Sequence, residues 1–598
     1  MVGRGMAGRW GGSGSAGAAL PAAAAGAGRA TSGWTKLDLG LALALSLAAA
    51  AIRWPYLILI PRMTDEWEDL QFALRLAAEP FQLVSNDAYN GPLFHWLLAG
   101  LLAVTRSPLA PRLLVMGLGA LTVGLSYALA ASLSAWQRER RPAPAAEDRA
   151  SRAAEGAASR AGAADSDFAL APADRLAGLL AAGLMAVSFV PVVVNSHIAW
   201  SNSTTPFWTT LLLLWLVEAV RRDRPRRLLV AGLLAGLAQQ THPSVLAILI
   251  GAAAWTVGLR PAWLRTRWPL LAALLALLAL SNLLAYNLQS RGGSARMAEG
   301  RDYAYTGGAS LAEYRGNLVR TGRLGYQMVG SAFLAGLSEE TDPAALREVL
   351  LAPATLLYAA VALAGLALGL AGGSGLPLAC WLAALLILPF FNRGWHHFIL
   401  ARYLAGLLPP TFAAMGIALT RLAGSGGRSA GGDAVAAAAD PSALPSGAPW
   451  RRARRLGALT IALLLVITPL LRLQRFYARE LELGRHNRRV LQTLHALEDR
   501  ASEGHPIALD RELRFVRLTA GGNLLNVLDG MLDLRALPHA LVEAEDQAGL
   551  AVGSYVVLSS AQRDALAGVL ELVASEPEPY FAPAAPGDYN LYRVEAGP

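Results

Sequence analysis

Leu211-Leu212-Leu213-Leu214-Trp215-Leu216-Val217-Glu218-Ala219-Val220-Arg221-Arg222-Asp223-Arg224-Pro225-Arg226-Arg227-Leu228-Leu229-Val230 decides how the chain is built. An apolar run ends in an arginine cluster, and a second apolar run starts at once. A bilayer with a hydrocarbon core of ~30 Å asks for about 20 apolar residues per helical crossing. Arginines at the ends of such runs mark the cytoplasmic side. The same pattern extends in both directions. Apolar runs at 37–60, 112–136, 175–193, 205–220, 228–241, 243–260, 268–288, 349–371, 376–391, 402–421 and 456–473 are the expected spans.

Four linkers are arginine-rich: 137–175, 221–227, 260–267 and 422–455. With a cytoplasmic N-terminus and the spans taken in order, all four fall on one side, as the positive-inside rule asks. The expected fold class is therefore an all-α polytopic membrane domain of about eleven helices, residues 37–473. Residues 1–36, rich in Gly, Ala and Ser, read as a disordered cytoplasmic N-terminus. The apolar run after them is too long for a signal-peptide core and reads as a retained span. Linkers 137–175 and 422–455 are low in complexity and read as cytoplasmic tethers. The first outer loop is 61–111, and a large outer loop covers 289–348.

Composition agrees. The 598 residues are 54% hydrophobic and 16% charged, against about 25% charged in soluble domains. The net charge of +9 is carried almost wholly by arginine, Lys36 being the only lysine. These arginines sit at the ends of apolar runs, which argues against nucleic-acid binding. One cysteine, Cys380, excludes an intrachain disulfide and a cysteine metal site.

Residues 474–598 read as a small extracytoplasmic α/β domain. The 486–500 stretch is helix-like, 506–510, 555–558 and 589–594 are strand-like, and 561–572 reads as a helix between strands. No GxGxxG or Walker pattern occurs there.

The outer loop opens Met63-Thr64-Asp65-Glu66-Trp67-Glu68-Asp69-Leu70-Gln71-Phe72-Ala73. On a helix, Asp65, Glu66 and Asp69 share one face. Carboxylates gathered at a membrane surface suit removal of a proton from an incoming hydroxyl. The plainer reading is a capping pattern, Asp65 with Glu68, that starts an interfacial helix. An amphipathic stretch follows (Leu70, Phe72, Ala73, Leu76, Ala77). Then comes Asn90-Gly91-Pro92-Leu93-Phe94-His95-Trp96, a proline-led aromatic helix start.

Two surface helices led by an acidic pair resemble the GT-C superfamily of membrane glycosyltransferases. The likeness is to the branch of protein O-mannosyltransferases and lipid A aminoarabinose transferase. Asp65-Glu66 matches the acidic pair and Gly91-Pro92-Leu93-Phe94-His95-Trp96 the following helix, with Gly91 in place of a proline. Ser196-His197-Ile198-Ala199-Trp200 is similar to the family's second outer turn. Gly232 to Thr241 and Arg402-Tyr403-Leu404-Ala405-Gly406-Leu407-Leu408-Pro409 resemble two further segments.

The resemblance implies transfer of a hexosyl or pentosyl group from a polyprenyl-phosphate donor on the outer face of the cytoplasmic membrane. The acceptor would be a lipid, a glycan or a protein. It implies inverting displacement with Asp65 as base and Glu66 orienting the acceptor or Asp65. Asp69, His95, Asn202, His242, His396, His397, Arg402 and Tyr403 are the expected substrate contacts. Arg402 and the histidine pair are the preferred cations for the leaving phosphate. A divalent cation, magnesium or manganese, would have Asp65 as its ligand. Asn202, standing where family members often carry an acid, is a poor sole partner for it, so no metal site is assigned. A transporter or flippase of lipid-linked intermediates, and an inactive scaffold of the same fold, are the rival readings. The first would carry paired charges near the bilayer midplane, and none is seen.

Overall fold

A computed structural model describes residues 34–57, 66–79, 81–107, 109–140, 170–299, 310–332, 343–390, 398–424, 448–483, 485–511, 513, 524–542, 550–559, 570–572 and 589–594. Helices α1 (Lys36–Arg53), α2 (Glu66–Ala78), α3 (Leu93–Leu102) and α4 (Ala110–Glu139) come first. They are followed by α5 (Pro172–Val187), α6 (Phe189–Val193), α7 (Thr205–Arg221), α8 (Leu228–Thr241) and α9 (Val245–Leu259). Next are α10 (Trp268–Ala279), α11 (Ser281–Gln289), α12 (Gly293–Glu299), α13 (Leu311–Val329), α14 (Pro343–Leu351), α15 (Pro353–Ala371), α16 (Leu376–Ile387) and α17 (Leu408–Leu422). The last three are α18 (Ala448–Leu483), α19 (Arg485–Ser502) and α20 (Leu524–Arg535).

Among the described residues, four helical segments are long and apolar enough to cross a membrane alone: 110–139, 353–371, 405–422 and 452–478. The pair α10–α11, bent by 63°, makes a fifth if taken as one span. The other expected spans coincide with shorter or more charged helices. The 175–193 run breaks at Ser188, whose extended backbone separates α5 from α6. At 1.5 Å per residue, the 14 residues of α8 reach about 21 Å. The expected number of eleven spans is thus not reproduced by helix length alone.

Neighbouring helices approach where side chains are small. A Cβ on Gly236 of α8 would lie 2.6 Å from the Ala276 carbonyl oxygen of α10, so only glycine allows that approach. Cys380 is buried, as its apolar run foretold. Two charges near span ends, placed where a long side chain can reach the membrane interface, are buried instead. Arg53 is fully buried and donates to Ser196 Oγ at 2.8 Å and to the carbonyls of Ala49 and Ala186. Glu218 is buried and accepts from Arg221 and Arg222 at 3.1 and 2.7 Å. A charge one turn from a helix end turns inward when the neighbouring chain offers it partners.

Strands β1 (Ile507–Asp510), β2 (His539–Val542), β3 (Tyr555–Ser559), β4 (Leu570–Leu572) and β5 (Tyr589–Val594) form one mixed sheet, ordered β2-β1-β3-β5-β4. β1 pairs in parallel with β2 and β3, while β5 runs antiparallel to β3 and β4. The expected helix at 561–572 ends instead in β4, and residues 560–569 lie outside the described set. Strand alternation sends successive side chains to opposite faces. Ala508, Val556, Leu558 and Val594 form one small cluster. Ile507, Leu509, Tyr555, Val557 and Leu591 point the other way, into a core that also holds Trp67, Leu70 and Ala73 of α2 and Phe94 and Leu98 of α3. The two outer-loop helices therefore share a core with the sheet rather than lying on a lipid surface alone.

Candidate active site

The acidic helix α2 begins at Glu66 and carries Glu66, Glu68 and Asp69 in its first turn, where carboxylates complement the helix dipole. Glu66 is 5% exposed. Its carboxylate takes the Arg112 guanidinium in a two-pronged pair, with Nε at 3.1 and 3.3 Å from the two oxygens and Nη2 on Oε1. The Ala199 amide adds a third donor at 3.1 Å. Glu66 thus ties α2 to the start of α4 and to the second outer turn. Arg112 was not singled out from the sequence. The signal was present, since an arginine at the outer mouth of a span runs against the positive-inside rule.

One turn on, Asp69 Oδ1 accepts from His95 Nε2 at 2.9 Å, and its Oδ2 lies 3.4 Å from the Ser201 amide. His95 has no exposed surface, and the Phe72 and Phe94 rings stand edge-on to it at 4.8 and 5.6 Å. The Pro92 start of α3 is held by the Gly91 amide, which donates to the Gln240 carbonyl at 2.9 Å. A Cβ at position 91 would lie 2.7 Å from Gln240 Cγ. A side chain at position 91 would therefore have to displace that of Gln240.

The second outer turn, Ser201–Thr204, joins these acids to the rest. Ser201 Oγ donates to the Thr241 carbonyl at 3.2 Å, and the Thr205 and Thr241 hydroxyls are 2.8 Å apart. His242 follows at the end of α8 and stacks on Tyr403, ring centroids 4.2 Å apart and 13° from parallel. Its Nδ1 accepts from the Ser244 amide at 3.1 Å. Burial, aided by the Arg402 charge, pushes the His242 imidazole down to about 3, so it is neutral at physiological pH. The Arg402 guanidinium lies 4.1 Å from the Trp200 ring centroid and 4.7 Å from that of Tyr403. Its Nη2 donates to the Tyr403 hydroxyl at 3.0 Å. A guanidinium between two aromatic faces keeps its charge and its planar fork.

Of the expected residues, Glu66, Asp69, His95, His242, Arg402 and Tyr403 are thus linked through one set of contacts at the ends of five helices and turns, and Asn202 lies in the turn among them. Asp65, His396 and His397 lie outside the described residues. Arg296 is turned onto the Arg291 carbonyl, and Arg320 onto Asn317. Trp200, Ser201, Thr241 and Gln240 complete the network. Asn202 Oδ1 and Trp200 Nε1 are buried and have no hydrogen-bond partner among the described residues.

Among the described residues no group of three His, Cys, Asp or Glu could hold a metal ion. Glu66 is committed to Arg112 and Ala199, and Asp69 to His95 and Ser201. Asp65, the expected ligand of a divalent cation, lies outside the described residues, and no step is derived through a metal ion.

Fold and site together define a helical membrane-type protein whose acids and two arginines, Arg112 and Arg402, meet at helix ends. Residues 172–286 match the family model described as dolichyl-phosphate-mannose-protein mannosyltransferase. That segment holds the second outer turn and the end of α8, and the match bears out the resemblance drawn from the motifs. The chain is also similar to the crystal structure of ArnT from Cupriavidus metallidurans bound to undecaprenyl phosphate. Identity is 14%, coverage 94% of this chain and 98% of that one, and the TM-score 0.49. The apo form of the same protein aligns at 13% identity over 93% of this chain and 97% of that one, with a TM-score of 0.49. The Archaeoglobus fulgidus oligosaccharyltransferase, tethered with an acceptor peptide containing the NVT sequon, aligns at 15% identity. There coverage is 74% of this chain and 55% of that one, with a TM-score of 0.37. No curated protein matches the chain.

Proposed function

We propose that this chain is a membrane glycosyltransferase that moves a sugar from a polyprenyl-phosphate donor to an acceptor hydroxyl on the outer face of the membrane. One observation carries the reading. The turn 200–202 joins the head of the acidic helix, through Asp69, to the Arg402 guanidinium. Glycosyl transfer from a phosphate needs both signs of charge close together.

In an inverting displacement the acceptor oxygen attacks the anomeric carbon while the bond from that carbon to the phosphate oxygen breaks. The acceptor proton goes to a carboxylate base. Asp65, next to Glu66 at the head of α2, takes this role. Glu66, fixed by Arg112, holds the head of the helix in place. Negative charge grows on the departing polyprenyl phosphate, and Arg402 offers it a charge-assisted hydrogen bond. Neutral His242 and Tyr403 back the guanidinium. Such a donor needs no nucleotide, and residues 474–598 carry no nucleotide motif.

The test is direct. Purified protein in lipid vesicles is given a polyprenyl-phosphate sugar and candidate acceptors, and transfer is measured for wild type and Asp65→Asn. The expected result is transfer by wild type and a fall of about 100-fold or more in the variant. Equal transfer by both would remove Asp65 from the mechanism. No transfer from any lipid-linked donor would sink the reading itself.

A further inference from the structure

The second outer turn holds two polar atoms in an unfavourable state. Trp200 Nε1 and Asn202 Oδ1 are buried without partners among the described residues, and such groups pull a turn toward any conformation that would satisfy them. Something must hold the turn where it is. Its tie to α8, through Ser201 Oγ and Thr241, is one brace. The other comes from the acidic helix.

His95 makes its polar contact through Nε2, to Asp69, while Nδ1 is buried without a partner among the described residues. A proton on Nδ1 would be an unsatisfied donor between two phenyl rings. The proton therefore sits on Nε2, and His95 donates to the carboxylate. That fixes the Asp69 rotamer, and the second carboxylate oxygen is then directed at the Ser201 amide.

We propose that Asp69 and His95 form a positioning pair for this turn. Through Ser201 they set where Trp200, beneath Arg402, and Asn202 stand. The pair does not itself contact the reacting atoms. Its effect on catalysis rests on the glycosyl-transfer reading, whereas its effect on the turn does not.

Two substitutions separate hydrogen bonding from shape. His95→Phe keeps an aromatic ring among Phe72 and Phe94 and removes the donor. His95→Gln places an amide nitrogen near the position of Nε2. Hydrogen exchange is followed by mass spectrometry on peptides covering residues 196–208 in the full-length protein. Exchange is expected to rise about tenfold in His95→Phe and to return near wild type in His95→Gln. In the transfer assay, kcat is expected to drop about 10-fold or more in the phenylalanine variant, with the KM for the lipid donor little changed, and to recover in the glutamine variant. Unchanged exchange in His95→Phe, or equal damage in both variants, overturns the proposal. If wild type transfers nothing, the functional reading fails, and the positioning claim still stands or falls on the exchange data.

Discussion

Gln71 Nε2 donates to Asp529 Oδ2 at 2.6 Å, joining residues 458 positions apart. This contact lies beside the core that α2 shares with the sheet domain. Asp529 Oδ1 in turn accepts from His539 Nε2 at 2.8 Å. Helix α2 thus has the sheet domain on one side and the candidate site on the other. Gln71 and Asp69 are two residues apart in sequence, and they look in these two directions.

The Asp529 cluster makes stability depend on pH. The Asp529 hydrogen bond raises His539 above its ordinary 6.5 despite opposing burial. Burial, with Asp529 nearby, raises Asp533 above 3.8. A histidine raised in the folded state contributes stability that is complete below pH 6.5 and lost as pH rises through its native value. Asp533 acts in the same direction from pH 3.8 upward. His242, pushed down to about 3, has the opposite sign: its contribution is present above pH 6.5 and lost as pH falls toward about 3. Thermal unfolding in detergent should show wild type losing stability from pH 6 to pH 8.5, with most of that loss absent in His539→Gln. An identical slope in both proteins would rule out His539 as its source.

The Glu66–Arg112 pair should be costly to break on one side only. Glu66→Gln leaves the Arg112 charge buried and is expected to lower stability by about 3–5 kcal/mol. Glu66→Leu with Arg112→Met removes both charges and should recover much of that loss, read as the thermal midpoint. Transfer should remain low in the double variant, because the helix head loses its tie to Ala199. Full transfer there would show that the pair serves stability alone.

Arg402→Lys retains the charge and loses the planar fork and the stacking on Trp200. The KM for a polyprenyl-phosphate donor should rise about 10-fold, in line with one charge-assisted hydrogen bond. An unchanged KM would remove Arg402 from the phosphate.

Gly91→Ala drives a methyl group into the Gln240 side chain, whose Nε2 caps the Ala279 carbonyl at the bend between α10 and α11. Overpacking of this kind destabilises by about 1–3 kcal/mol. Adding Gln240→Ala should relieve part of the strain, so that the two effects are not additive. Additive losses in thermal unfolding would separate the two residues.

Much of this was legible in the sequence. Apolar runs and arginine clusters located the helices, and the acidic helix, the proline-led helix and three strands fall where their patterns put them. The partner of each buried face was not legible. Leu70 and Ala73 showed that one face of α2 is covered, and lipid was the nearest candidate. The actual cover is a sheet more than 430 residues further along the chain. Periodicity reports that a face is buried and is silent about what buries it. Likewise, Glu66 read as a chemical group because nothing beside it in the sequence pairs it with Arg112, 46 positions away. The α20–β2 unit was missed because a short helix and a four-residue strand carry too little periodicity to stand out.

Helix α18 runs 36 residues without a break, about 54 Å at the standard rise. One end lies beside the arginine-rich linker, and the other leads toward α19, whose Leu494 and Leu497 sit in the core around Trp67. Along its length Arg472 grips the carbonyls of Gly330 and Ser331, while Pro469 leaves one backbone hydrogen bond unmade near the middle. One continuous helix therefore connects the arginine-rich linker to the segment whose leucines pack in the core beside the acidic helix.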